Sequence, residues 1–321
     1  MIYDNQKETY IKQKGGRNLE YQKFVGVIQQ EVQKAAGEET KVSVNHILKN
    51  NIPCVDGLTI LRKGENVAPA IWLRPFFSQY QCGTSIGRIA EEILEYHANM
   101  EKPARYDMNF YTDYEKVKNH IACKLVHAGM NKALLKEVPH RYFLDLALVY
   151  YYKLECDTFG NASILVKNDH LKLWGITEKE LNQAALLNMP ELLPAELLSL
   201  AALVDEMTNR SAGYLFSQTV PMYVLTNKEK YFGAAEILLP SVCRKIGEKL
   251  QTDYYILPSS IHECMIVPVL DGLTPEGLHE MVKEINEEHV AQEEILGDSV
   301  YLYTRSGGLL TIAWKEEKTE E

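Results

Sequence analysis

The sequence predicts an α+β protein made of antiparallel sheets with helices laid on one face. Three observations carry that reading. Capped amphipathic stripes alternate with short β-branched runs along the whole chain. Glycine- and proline-bearing turns separate neighbouring strand-like runs, as at Gly307-Gly308 between "SVYLYT" and "LLTIAW". The last hundred residues read βαββαβ plus one extra strand, the ferredoxin-like order in which two helices share a face of the sheet.

The elements follow in order. Phe24, Ile28 and Val32 recur every four residues, so a helix is expected from Asn18 to Ala36. "VSVNHIL", "VDGLTI" and "VAPAIWL" read as strands. Ile86, Ile89, Ala90, Ile93 and Leu94 form the stripe of an amphipathic helix that Thr84 or Ser85 can cap. "TDYE" (Thr112 to Glu115) fits a capping box and predicts a helix with Val117, Ile121, Leu125 and Ala128 on one side. "FLDLALVYYYKLE" and "NASILVKNDHLKLW" read as a strand pair turned by "CDTFGN". "TEKE" at Thr177 opens a helix that the prolines of "MPELLP" should break, and "AELLSLAALVDEM" reads as another helix. Further on, "MYVLT", "DYYIL" and "CMIVPVL" are strands. Pro240 kinks or starts the helix in "GAAEILLPSVCRKIGEKL", and Thr274 caps a helix with Pro275 in its first turn. The implied regions are a disordered arm (1–17), an N-terminal α/β region (18–102), a central helix and strand-pair region (103–210), the βαββαββ domain (211–314) and a disordered acidic tail (315–321).

Composition excludes several functions. The chain has 321 residues, 46% hydrophobic and 24% charged, which suits a globular protein with a sizeable core. Its 34 basic and 44 acidic residues give a net charge of −10, which argues against binding to nucleic acid backbones. No apolar run is long enough to span a membrane, and "MIYDNQKETY" lacks the apolar core of a signal peptide. Six scattered cysteines without a C-x-x-C pair read as small buried hydrophobes of a reducing, cytoplasmic compartment.

Several segments in succession carry a likeness: "VNHILKNN", "DGLTI", "PAIWL", "RYFLDLALVYY", "WGITEKELNQAALLN", "PMYVLTN", "FGAAEILLP" and "LPSSIHE". Together, from Asn18 to Trp314, they resemble a domain-of-unknown-function family of low-GC Gram-positive bacteria. A shorter uncharacterised bacterial family is similar through "DLALVYY" and "LPSSIHE". The resemblance implies a bacterial cytosolic fold and brings no activity, cofactor or ligand with it.

"LPSSIHE" is the densest polar cluster. A serine nucleophile needs a base within reach, an orienting group and an oxyanion hole. In an extended segment Ser260 and His262 share a face with Cβ atoms about 6–7 Å apart, awkward for direct contact. The elbow motif G-x-S-x-G is absent. Ser260 and Glu263 have capping-box spacing instead, which suits a hairpin loop bonding its own backbone. Ser259, Ser260, His262, Glu263 and Asp145 are therefore the candidate catalytic residues, with a structural role as the competing reading. Asp145 opens an apolar strand and needs solvent or a partner, for which Arg141 is near in sequence.

His120, Cys123 and His127 would lie along one side of the predicted helix and are the metal candidates, though one helix gives only part of a zinc shell. His262-Glu263 and His279-Glu280 lack a second histidine four residues on. "TNKEKYFGAAEILL" could place a phosphate at a helix start, but its single Gly233 fits close packing better. The sequence thus predicts a cytoplasmic, non-catalytic binding or regulatory module without a cofactor, acting on a protein or small-molecule partner. The alternative is a hydrolase using Ser259 or Ser260 with His262 and an acidic residue.

Overall fold

A computed structural model describes residues 19–65, 68–99, 108–154, 163–203 and 220–316. The expected arm lies outside the described residues, as do residues 317–321 of the expected tail. The chain divides into two compact units, residues 1–49 with 54–108 and residues 50–53 with 109–321.

In the first unit, α1 (Tyr21–Ala36) and α3 (Ile86–Asn99) pack with the sheet β1 (Thr40–Lys49), β2 (Ile52–Arg62) and β3 (Ala70–Trp72), ordered as in the sequence. The stripes expected from periodicity are the ones buried. Phe24, Ile28 and Val32 meet Ile89 and Ile93, with Leu58, Ile60 and Ile71 of the sheet in the same cluster. Each such side chain contributes about 1.5–3 kcal/mol by leaving water. The intervening pleat position is polar, where the Thr59 and Ser43 hydroxyls share a 2.8 Å hydrogen bond. Ser85 caps α3, its Oγ accepting from Arg88 N at 3.3 Å. Between β3 and α3 stands α2 (Arg74–Gln81), a helix the sequence reading did not anticipate; Pro75 lies in its first turn.

The second unit holds two sheets. In one, β6 (Leu146–Lys153) lies between β4 (Ile121–His127) and β5 (His140–Phe143), and also pairs with β7 (Ser163–Leu165). The helix expected from Thr112 through Ala128 is not formed. Asp113 caps the single turn α4 (Tyr114–Val117), and the chain then becomes β4. Seven residues of β4 pair in register with β6, from Ile121↔Tyr152 to His127↔Leu146. Both faces of β4 are covered, so its apolar residues show no alternation, and Val117, Ile121 and Leu125 mimic a helical stripe.

After α5 (Lys132–Glu137) and α6 (Asn168–Trp174) comes α7 (Glu178–Leu192), which packs on β4. Its Thr177–Glu180 capping box forms as expected. Pro190 does not break it: the helix runs to Leu192, with Pro190 in the last turn. "AELLS" is also not helical; it is strand β8 (Ala195–Ser199), paired with β9 (Tyr223–Asn227).

The second sheet is ordered β13-β12-β10-β11-β9-β8 and every pairing is antiparallel. Its members are β10 (Tyr254–Leu257), β11 (Cys264–Pro268), β12 (Val300–Thr304) and β13 (Leu309–Trp314), joined by α8 (Pro240–Leu250) and α9 (Pro275–His289). Pro240 is the true start of α8, after a 3-10 turn over Gly233–Leu238, and Thr274 caps α9 as expected.

The strand order departs from the ferredoxin-like expectation. There the last strand lies beside the first; here β12 lies beside β10, the second. The helices consequently cover opposite faces. Tyr254 donates to the Cys243 carbonyl of α8 at 2.9 Å, whereas its neighbour Tyr255 joins Leu278 and Val282 of α9 in one core cluster. Right-handed crossovers give this result. Strands β9 and β11 run in opposite directions and both connections step toward β12, so one helix falls on each side.

Candidate functional site

The turn between β10 and β11 is the "LPSSIHE" segment, and its Ser260 and His262 side chains are turned onto the backbone. Ser260 Oγ accepts from His262 N at 3.1 Å. His262 Nδ1 accepts from Phe232 N at 3.2 Å, which leaves the ring proton of the neutral form on Nε2, 3.7 Å from Glu294. On one side, Ile261 N donates to Glu294 O at 2.8 Å and Leu296 N to Ser259 O at 2.9 Å. On the other, Thr226 Oγ1 donates to His262 O at 2.9 Å. Ser259 and Ser260 are both buried.

Burial lowers the His262 pKa, and nearby Lys124 adds to that, against the opposing pull of Glu294 and Glu263. The ring stacks on Phe232 at 7° and 5.6 Å, and the Lys124 ammonium sits 4.1 Å from the Phe232 ring centre. Burial pushes Lys124 down to about 8. Phe232 holds a left-handed backbone (φ 57°) so that Gly233 can pass tightly over β9. A Cβ on Gly233 would stand 2.7 Å from both His262 O and Thr226 Cα, so this glycine serves close packing. Three segments that carried the resemblance, "PMYVLTN", "FGAAEILLP" and "LPSSIHE", therefore meet at one place.

Asp145 lies elsewhere, at the start of β6. It accepts from Ser299 Oγ at 2.5 Å and Tyr301 Oη at 2.6 Å, so its partners come from the β12 segment and not from Arg141. The metal candidates do not converge as a helix face would bring them. Cys123 and His127 stand four strand residues apart, about 13 Å by strand rise. The Cys123 thiol is buried against Met189 Sδ at 3.0 Å, with its pKa raised by burial, and His127 Nδ1 accepts from Met130 N. His120 precedes β4 in a short 3-10 turn. Asn227 makes an Asx-turn, its Oδ1 accepting from Glu229 N at 3.1 Å.

Two cavities hold groups that the sequence reading passed over. One, of about 560 Å³, is lined by Asp145, Asn286, Glu287, Asp298, Ser299 and Glu316 among others, with Lys283 and Lys315 as basic counterparts. Asn286 Nδ2 donates to Gly297 O, while its Oδ1 is buried without a partner. Beside this cavity His279, Asp298 and Glu316 bring one potential ligand atom each within 4.8 Å of one another. The other cavity, about 370 Å³, is lined by Pro190, Leu225, Glu236, Lys245 and Lys249 among others. Glu236 is fully buried, neither carboxyl oxygen has a partner, and burial raises its pKa to about 8. Its position in "GAAEILL" gave no signal, since one acid in an apolar run resembles the wet side of a helix.

A family model spans residues 21–305, nearly the whole described chain. The chain belongs to a family of unknown function, DUF5688. The match begins with α1 and ends just after β12, so it holds all three sheets apart from the edge strand β13. No curated protein and no solved structure matches the chain.

Proposed function

We propose that this member of the family is a cytoplasmic bacterial binding module without catalytic activity, of low-GC Gram-positive origin. One observation carries the reading: the Ser260 hydroxyl and His262 Nδ1 are both occupied by backbone N–H groups, so this serine and this imidazole do not form a nucleophile–base pair. The net charge of −10 and the scattered cysteines support the compartment. The ligand site is the cavity around Asp145, concave and rich in carboxylates, which suits a small cationic ligand.

The test is a panel of ester, amide and phosphoester substrates run with the wild type and Ser260→Ala. Both should stay at the background rate. A hydrolytic activity lost in Ser260→Ala at an unchanged melting temperature overturns the reading in favour of a hydrolase. Native mass spectrometry of the purified chain identifies any retained ligand, and Asp145→Asn should weaken its retention.

A further inference from the structure

We infer that a divalent transition-metal ion is the cation of this acidic cavity, held by His279, Asp298 and Glu316; the inference rests on the cavity being a binding site. The three residues come from α9, from the segment leading into β12 and from the chain just past β13. One ligand atom of each already lies within 4.8 Å of the others. Around a tetrahedral ion with bonds of about 2.0–2.2 Å, ligand atoms stand about 3.4 Å apart. A small side-chain movement closes that difference, and the exposed Glu316 is free to make it.

The imidazole is already prepared. His279 Nδ1 meets the Asp298 carbonyl at 2.7 Å, and a carbonyl only accepts, so Nδ1 carries the proton. The lone pair is then on Nε2, the nitrogen that would ligate a cation, and the backbone carbonyl would act as the outer partner that metal-bound histidines use. Trp314 stacks on the ring at 3.8 Å and fixes its plane.

A second observation points to a ligand independently. Asn286, two helical turns along α9 from His279, is 8% exposed, lines the cavity and has a buried Oδ1 without a donor. A buried acceptor left unpaired costs about 1–3 kcal/mol, and a donor brought in by a ligand of the cavity would satisfy it. The carboxylates of Asp145, Glu287, Asp298 and Glu316 outnumber the ammonium groups of Lys283 and Lys315 in the lining. One imidazole with two carboxylates suits zinc or manganese better than magnesium, which prefers an all-oxygen shell.

The experiment uses the full chain, stripped with a chelator and titrated with zinc chloride, manganese chloride or magnesium chloride while heat and tryptophan fluorescence are followed. The expected result is one zinc or manganese ion per chain with a change in Trp314 emission. Asp298→Asn and Glu316→Gln, at side chains that are not buried, should each weaken binding at least tenfold without moving the unfolding midpoint. Absence of stoichiometric binding, wild-type affinity in both variants, or magnesium binding as tightly as zinc overturns the inference. An organic cation retained in native mass spectra and lost in Asp145→Asn, with no metal bound, would leave the cavity reading intact and remove only the metal.

Discussion

In the turn between β10 and β11, Ser260 Oγ, His262 Nδ1 and the His262 carbonyl each meet a hydrogen-bonding group of the protein. In the cavity beside β12, Asn286 Oδ1 meets none, and next to it His279, Asp298 and Glu316 bring one ligand atom each within 4.8 Å of one another. The first region collects its polar residues within five positions of sequence; the second draws them from positions 37 apart. Ser260 Oγ finds its donor two residues on, while His262 is met by Phe232 and Thr226, 30 and 36 positions away, so both local and distant partners close the turn. The Asn286 Oδ1 of the second region has neither kind of partner and stays available to a ligand.

Four substitutions break or sharpen that contrast. The largest effect is expected from Gly233→Ala, about 3 kcal/mol of lost stability in urea unfolding, because the new Cβ meets backbone that cannot retreat. A loss under 1 kcal/mol would show that the turn has slack.

Next is Glu236→Gln. The folded carboxyl keeps its proton up to about 8, whereas the unfolded one releases it near 4.5. Between those values the unfolded state binds fewer protons, so stability falls as pH rises through that window. The variant escapes that loss and should gain on the order of a few kcal/mol at pH 9 relative to pH 5. Parallel pH profiles of variant and wild type would show that the acid finds a partner.

His262→Ala follows, with about 1–2 kcal/mol lost at neutral pH from the orphaned Phe232 N–H. The sign of its pH dependence is opposite. The folded ring resists protonation, so as pH falls below 6.5 the unfolded chain takes up a proton first and the wild type loses stability. The variant's acid limb should be flatter, which chemical unfolding at pH 5 and pH 7.5 measures. The smallest effect is Ser260→Ala, about 1 kcal/mol for one lost backbone cap, read as a shift in the same unfolding midpoint.

Helices with a solvated side and a cap were legible in the sequence. Thr274 with Pro275, and Thr177 with Glu180, mark their helices where the structure has them. The misreadings fall on elements whose sides are filled or short. Strand β4 shows continuous apolar character, and the five residues of β8 continue into "LAALVDEM", whose composition suits a helix. The strand order was not legible either: periodicity locates strands, but which edge β12 joins depends on contacts between chain segments far apart. For the candidate site, the bond between Ser260 and His262 N in the "LPSSIHE" turn could be read because it is local, whereas the bonds of His262 to Phe232 and Thr226 could not. The cluster of His279, Asp298 and Glu316 could not, since only the convergence of α9, β12 and β13 creates it.

The order of the larger sheet also bears on how the molecule assembles. Its innermost pair, β10 and β11, is a hairpin closed by a six-residue loop, whereas β9 and β12 arrive through helices and β8 and β13 form the two rims. Among the pairings of the four central strands, β12, β10, β11 and β9, this short loop costs the least chain entropy, so the hairpin is the natural nucleus of that core, with growth spreading outward in both directions. Pulse-labelled amides of the central pair should gain protection before those of the rims. The self-bonded reversal would then be the first tertiary-like event of folding, and mutations in it would slow refolding more than they speed unfolding.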